Sequence, residues 1–474
     1  MKELWNFFDK ARSELRTDEI FELATVMIVI EKADVLRNIA GDVNVIDKLL
    51  WEIKNLEYSD LVKEKLMKKV TTIASKVKSS MLIDLMLDMA KTLEVYKAME
   101  VFDSLVEQAE EIIGNMKASK AQTAIVSQYF NVESNSKVFS GRIGKGFEIS
   151  QLLSNKKDIA IYAQDFVSED LIIAEIRLRL LGHKNFEMKR GNILTSPLFK
   201  NEKFDYVLDT PRFGYKPKND EIEQLKLDPR FSFYGIPSKM NADLGFVVAG
   251  TQVLNEQGKG AFYLTTGALF RGGADQKIRE RFIEKDEIDV VIEFPSGLLA
   301  PATSISTALL LINKNKCEKA KGNILFINAT KFAKAERRKT VLTEEGLSKI
   351  ISIFENRQEV KGISKIVDRN DLVDFELLPS RYVFDNEIEL DEYGKVEINL
   401  AAYDQLKTIA LKNIAQIYRG FNASPKDESA TGNVALLKIS DIVEGEILEA
   451  GLTRYQLGGR VKLDNYRLQK GDIV

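Results

Sequence analysis

Between residues 119 and 330, short apolar runs alternate with amphipathic stretches and glycine-bearing turns. Strands that alternate with helices in this way are joined by right-handed crossovers and build a mostly parallel sheet. The pattern therefore predicts an α/β core, in which ligands bind at the carboxyl ends of the strands. The predicted strands are Lys137–Phe139, Ile159–Ala163, Tyr206–Leu208, Gly260–Leu264, Val290–Phe294 and Ala308–Asn313, and the helix predicted between the second and third is Glu169–Leu181.

Changes in composition along the chain predict three domains. Residues 1–118 contain no proline and little glycine, and apolar residues recur there at helical spacing, as at Val101 and Leu105. They predict an N-terminal helical domain, either a self-contained bundle or a surface for a partner subunit or DNA. The α/β domain is predicted at 119–395, and short strands with several glycines predict a small third unit at 396–474. The strand-like pattern is still running at the last residue, so a truncated third unit is expected.

Composition also excludes several classes of protein. A single cysteine, Cys317, rules out an intrachain disulfide and fits a reducing cytosol. Only one histidine, His183, is present, so no metal site is predicted, and His183 itself is expected at a surface turn. No apolar run approaches the roughly 18 residues of a membrane span, and a cytoplasmic location is expected. The net charge of −3 limits DNA binding to a local basic cleft.

Four stretches of the middle domain resemble one known family. The longest is Gly260–Gly273, which continues through Ile292–Leu298 to Ile305–Lys314. The other three are Asp209–Phe213, Asp243–Phe246 and Leu378–Tyr382. In order and combined length they resemble the modification subunit of type I restriction-modification systems, an adenine-N6 DNA methyltransferase. The resemblance implies a Rossmann-like, S-adenosylmethionine-dependent methyltransferase core. It also implies double-stranded DNA and restriction or specificity subunits as partners.

The third unit resembles a different protein of the same systems. Its relevant stretches are Ile414–Gly420, Leu437–Ile442 and Leu468–Ile473. They resemble the opening of the target-recognition domain of a specificity subunit. This implies that modification and specificity modules are fused in one polypeptide, with a partial recognition domain at residues 396–474.

The resemblance places a cofactor loop at Ser140–Phe147, after the first predicted strand. The family has Asp-Pro, two variable residues and Gly-Ser-Gly here. Gly144 and Gly146 keep the glycine positions, whereas the acid and proline are absent and Arg142 and Lys145 are added. Two cations would change the electrostatics around a sulfonium cofactor. A purely structural turn is the alternative interpretation.

Two further residues are predicted to bind the cofactor. Asp165 ends the second strand, where the family has an acid that accepts hydrogen bonds from the ribose hydroxyls. Its alternative role is an acid at the start of the following helix. Asn192 follows Gly191, where the family usually has an aspartate near the adenine ring.

The base clamp is predicted at Asp209-Thr210-Pro211-Arg212-Phe213. The family's Asn-Pro-Pro-Phe grips a flipped-out adenine: the Asn oxygen and a backbone carbonyl accept the amine hydrogens, and the aromatic ring stacks on the base. The matching register puts Thr210 at the Asn position and Arg212 at the second proline, with Pro211 and Phe213 retained. In another register, Asp209 supplies the acceptor.

These departures predict a methyltransferase-like DNA-binding subunit of a restriction-modification or phage-defence system that methylates adenine poorly or not at all. The predicted catalytic residues are Asp209, Thr210, Pro211 and Phe213. Two alternatives stay open at this point. One is an active adenine-N6 methyltransferase with a divergent clamp, and the other is a non-catalytic assembly scaffold.

Overall fold

The computed structural model divides the chain into two compact units, Met1–Asp385 and Asn386–Val474. It describes residues 2–113, 118–299, 303–336, 339–384, 387–390, 394–397, 402, 405–416, 418, 420–443, 446–447, 451–458 and 463–474.

The first part of the chain is helical, as the sequence predicts. Apolar side chains on the inner faces of these helices share one core, which continues onto Ile172 and Ile176 of a later helix. The N-terminal helices therefore pack directly on the α/β region. They are α1 (Lys2–Ala11), α2 (Thr17–Ile28), α3 (Ala33–Ala40), α4 (Val45–Asn55), α5 (Asp60–Ala74), α6 (Ser79–Val95) and α7 (Ala98–Ile113). The next helix, α8 (Lys120–Phe130), packs in a different core, which it shares with residues of the sheet.

A nine-stranded sheet forms the centre of the first unit. Its order is β11-β8-β6-β7-β5-β4-β1-β2-β3. The strands are β1 (Lys137–Ser140), β2 (Ala160–Asp165), β3 (Phe186–Arg190), β4 (Phe204–Asp209), β5 (Leu254–Thr265), β6 (Ile288–Glu293), β7 (Thr307–Asn313), β8 (Asn323–Asn328) and β11 (Ser364–Asp368). A separate hairpin consists of β9 (Ala333–Glu336) and β10 (Lys339–Leu342).

The strands from β3 to β5 are all parallel, and β7 is antiparallel to both of its neighbours. Successive residues of β1 face opposite cores, since Val138 packs in one and Phe139 in the other. Helices therefore cover both faces of the sheet. They are α9 (Phe147–Leu152), α10 (Ser168–Leu180), α11 (Asn219–Leu227), α12 (Asp243–Gln252), α13 (Ala274–Glu284), α14 (Glu344–Asn356) and α15 (Pro379–Tyr382).

All six predicted strands are confirmed, with ends that differ by a few residues. The sequence analysis missed β3, β8 and β11. Both β3 and β11 are edge strands that mix charged and apolar residues, which hides the pattern of a buried strand. Among the described residues, no helix has both the length and the apolar character needed to cross a bilayer.

The prediction for His183 is wrong. The residue follows α10, but its side chain is only 1% exposed. It borders a cavity of about 350 Å³ whose other walls include Val29, Ile30 and Tyr58 from the N-terminal helical region. Burial lowers the pKa of its imidazole to about 4. A turn that a distant part of the chain covers carries no local signal of burial.

The second unit contains short antiparallel strands. Tyr455 and Leu457 are buried within it. Its strands are β12 (Glu387–Leu390), β13 (Gly394–Glu397), β14 (Val434–Leu436), β15 (Ile442–Val443), β16 (Glu446–Ile447) and β17 (Thr453–Tyr455). Two residues of the stretch that resembles a target-recognition domain, Ile417 and Arg419, lie outside the described residues.

Candidate functional site

The candidate site lies at the carboxyl ends of β1, β2 and β4. The chain runs outward from β1 through β2 to β3 and then returns to β4 on the other side of β1. This reversal is the switch point at which α/β sheets bind ligands. It brings the loop Ser140–Phe147 beside the segment Asp209–Gly214.

The glycine loop is packed closely against its surroundings. Gly146 has a φ of +74°, and a Cβ there would lie 3.0 Å from the Cα of Ala174 in α10. A Cβ on Gly141 would lie 2.6 Å from Cδ1 of Ile193 and 2.9 Å from Oδ2 of Asp209. Only glycine fits these positions without a shift of the neighbours. The loop is therefore held tightly between α10 and the end of β4.

Asp165 stabilises the backbone of the glycine loop through a hydrogen bond. Its Oδ2 accepts the N–H of Gly144 at 2.9 Å, and its Oδ1 accepts the N–H of Val167 at 3.0 Å. The residue is 0% exposed. A carboxylate without accessible surface cannot contact a ligand in this conformation. Both of its oxygens stabilise the backbone, one in the loop and one at the start of α10.

Arg142 connects the glycine loop to the predicted clamp. Its backbone N–H donates to Oδ1 of Asp209 at 2.8 Å, and its Nη1 donates to the carbonyl oxygen of Thr210 at 2.9 Å. The hydroxyl of Thr210 lies 3.5 Å from Oε1 of Glu148 in α9. One acceptor of the clamp backbone is therefore already paired with a cation of this chain.

Asp209 is a buried acid with one unpaired oxygen among the described residues. It is 1% exposed, and its Oδ2 has no hydrogen-bond partner among the described residues. Burial raises the pKa of Asp209 to about 7, although the N–H and the charge of Arg142 oppose the shift. The carboxyl group therefore keeps its proton to a higher pH than an ordinary aspartate does. Because it is enclosed, a substrate cannot reach it without a movement of the loop.

The remaining clamp residues differ in how far they are exposed to solvent. Pro211 is buried, Phe213 is partly exposed and Arg212 is exposed. The guanidinium carbon of Arg212 lies 5.8 Å from the ring centroid of Phe166, which follows β2. A positive charge therefore lies at the rim between the ends of β2 and β4.

The other predicted cofactor residue lies after β3. Oδ1 of Asn192 accepts the N–H of Leu194 at 3.0 Å, which stabilises a turn. The structure thus brings Gly144 and Asp165 into direct contact and joins Asp209 and Thr210 to them through Arg142. Phe213 is partly exposed and is not part of these contacts among the described residues. The cofactor and catalytic roles given to these residues stay predictions.

Sequence reasoning missed the residues that anchor the clamp segment. Gly214 donates its N–H to Oδ1 of Asp243 at 3.0 Å. Oδ2 of Asp243, which is 0% exposed, accepts from Thr265 at 3.1 Å and from Nη2 of Arg271 at 3.3 Å. Arg271 also donates to Asp275 at 2.8 Å. The spacing of four residues between Arg271 and Asp275 was the available signal, but the partner Asp243 is distant in sequence.

Comparison with known proteins identifies the family. Residues 118–391 match the family model described as N-6 DNA methylase. This chain belongs to the N-6 DNA methylase family. The match covers the glycine loop, the clamp segment and the anchoring residues. It confirms the resemblance to N6 DNA methyltransferases.

Several proteins with sequences similar to this chain are type I methylase subunits. The MjaVII methylase subunit of Methanocaldococcus jannaschii is 31% identical over 298 residues, 58% of this chain and 51% of that protein. The MpnII methylase subunit of Mycoplasma pneumoniae is 26% identical over 260 residues, 52% of this chain and 47% of that protein. The chain thus spans about half the length of the curated relatives it matches.

A solved structure shows the same fold. The methyltransferase subunit of a type I restriction-modification system from Streptococcus thermophilus superposes with a TM-score of 0.65 at 19% identity. The superposition covers 81% of this chain and 98% of that one. It extends the likeness well beyond the sheet and its covering helices.

Proposed function

We propose that this chain is a methyltransferase-like DNA-binding subunit of a restriction-modification or phage-defence system that transfers methyl groups poorly or not at all. The burial of Asp165 is the observation that carries this proposal. A site that binds the ribose of S-adenosylmethionine needs an acceptor that the hydroxyls can reach. Here the acid at that position has no accessible surface and pairs with the backbone of its own chain.

The charges around the loop also argue against the cofactor. S-adenosylmethionine carries a sulfonium cation, and Arg142 and Lys145 both lie in the loop that would border it. Charges of the same sign repel most strongly where water is excluded. The residues present therefore do not fit the cofactor in the conformation described.

The clamp is unsuited to methyl transfer for a separate reason. Thr210 lacks the carboxamide that would accept an amine hydrogen, and the carbonyl of Thr210 already accepts from Arg142. Loss of one aimed acceptor commonly costs about 3–4 kcal/mol, or roughly 10²–10³ in rate. Arg212 replaces the second proline with an exposed, charged and flexible side chain. Departures in the cofactor loop and the clamp together support a loss of activity.

DNA binding is supported by the groups that remain accessible at this edge of the sheet. Arg212 is exposed and Phe213 is partly exposed, so a cation for phosphate and a ring for stacking lie side by side. We propose that residues 396–474 take part in target recognition. Restriction or specificity subunits are the proposed protein partners.

Binding to a mixed-sequence duplex DNA, measured by fluorescence anisotropy across a series of salt concentrations, tests this function. We expect affinity to fall steeply with salt, because bound phosphates release counterions. Arg212→Ala is expected to lower the slope of log affinity against log salt by about one. The matched control is Lys349→Ala, which removes an exposed cation from α14 and should leave the slope unchanged.

Two other results would each support a different function. Absence of salt-dependent binding would favour a scaffold that contacts only protein subunits. Transfer of labelled methyl groups to DNA, abolished by Phe213→Ala, would favour an active methyltransferase with a divergent clamp. The same protein preparation serves both assays.

A further inference from the structure

Arg177 is a buried cation between the N-terminal helices and the glycine loop. It lies on α10, and its side chain is 2% exposed. Its guanidinium carbon lies 5.5 Å from the ring centroid of Phe102 in α7 and 5.8 Å from that of Phe147, the first residue of α9. The side chain is thus sandwiched between a helix of the N-terminal region and the end of the loop.

The polar contacts of Arg177 join the same two elements. Its Nε donates to the carbonyl oxygen of Lys145 at 3.0 Å. Its Nη1 forms an ion pair with Asp103, the residue after Phe102 in α7. One guanidinium therefore binds the backbone of the glycine loop and a carboxylate of α7 at once.

This arrangement makes the loop depend on α7. Lys145 lies between Gly144 and Gly146, two positions whose backbone is intrinsically free, so contacts from outside must fix the loop. A buried arginine keeps its position only if its charge is compensated, and removing the partner strongly destabilises the arrangement. Asp103 is the carboxylate that pairs directly with Arg177, and its side chain is 41% exposed. A change at the surface of α7 can therefore reach the loop.

We propose that Arg177 is a positioning residue through which helix α7 fixes the glycine loop. Movement of α7, or loss of the Asp103 charge, would release the carbonyl of Lys145 and loosen the segment Gly144–Phe147. A partner subunit that docks on the N-terminal helices would thereby alter the candidate site. That consequence rests on the proposed function, because it has an effect only if the loop borders a functional DNA-binding site.

Hydrogen–deuterium exchange on the purified full chain tests the coupling without cofactor or DNA. Asp103→Asn keeps the shape of the side chain but removes its charge. We expect amide exchange in the peptide that contains Gly144–Phe147 to become faster by roughly tenfold or more, since a hydrogen bond to a charged group is weakened. Exchange across β6 and β7, on the far side of the sheet, should stay unchanged.

A second buried arginine provides the control for general loss of stability. Arg279 is 1% exposed and donates to the carbonyls of Ala268 and Phe375 at 3.0 and 2.8 Å. Arg279→Lys should lower the melting temperature without selective exchange at the glycine loop, whereas Arg177→Lys should speed exchange there. Unchanged loop exchange in both Asp103→Asn and Arg177→Lys would overturn the proposal. Because neither readout requires DNA or methyl transfer, failure here is distinct from failure of the proposed function.

Discussion

Replacement of Asp209 by asparagine is expected to stabilise the folded chain at pH 8 and to have little effect at pH 4. Burial raises the pKa of this carboxyl from its usual 3.8 to about 7, so the folded state holds the proton more tightly than the unfolded state. Ionisation at high pH therefore costs folding free energy. At about 1.4 kcal/mol per pKa unit the upper bound is about 4 kcal/mol, and we expect a gain of about 2–4 kcal/mol.

The pH range of the effect follows from the direction of the shift. The protonated carboxyl supports the fold below about pH 4, and this support is lost as the pH rises to about 7. Asparagine keeps an acceptor for the N–H of Arg142 and cannot ionise. Urea unfolding of both chains across this range measures the difference. A difference that persists unchanged down to pH 4 would contradict the explanation, because it would then come from packing and not from the proton.

Replacement of Asp243 by alanine is expected to destabilise the fold by about 2–4 kcal/mol, because a buried carboxylate with three donors is removed. The donors left without it are Gly214, Thr265 and Arg271. Arg271 keeps its contact with Asp275, which limits the loss. The free energy of unfolding in urea is the quantity to measure.

Two further variants separate the loss of the Asp243 hydrogen bonds from the general effect of removing a carboxylate. Asp243→Asn retains an oxygen for the N–H of Gly214 and is expected to lose about half as much as alanine. Glu284→Ala removes a carboxylate from an exposed pair with Arg281, and a change below about 0.5 kcal/mol is expected. Equal losses in Asp243→Ala and Glu284→Ala would show that Asp243 does not anchor the clamp segment.

The fold was predictable because its signals are local. The strand ending at Asp209 and the glycines at 144 and 146 are recognisable from neighbouring residues and their order. The place of the candidate site follows from them, since parallel strands bring their carboxyl ends to one edge.

The burial and the pairing of the site residues were not predictable in the same way. The position of Asp165 in the sequence is the same whether its carboxylate is exposed to a ligand or buried, and the contact with Gly144 in the glycine loop is what shows that it is buried. The hydrogen bond from Arg142 to the carbonyl of Thr210 joins residues 68 positions apart. The burial of His183 depends on a region more than a hundred residues earlier in the chain. Such contacts arise from tertiary packing, which a single sequence does not encode as a local pattern.

Calorimetric titration of the purified chain with S-adenosylmethionine tests the central claim most directly. S-adenosylhomocysteine is titrated in parallel, and each titration is repeated with a mixed-sequence duplex DNA present. We expect no measurable heat of binding from either ligand, with or without DNA, because Asp165 is enclosed and paired. Binding in the micromolar range would contradict this claim, since Gly144, Gly146 and Asp165 would then form a working cofactor site.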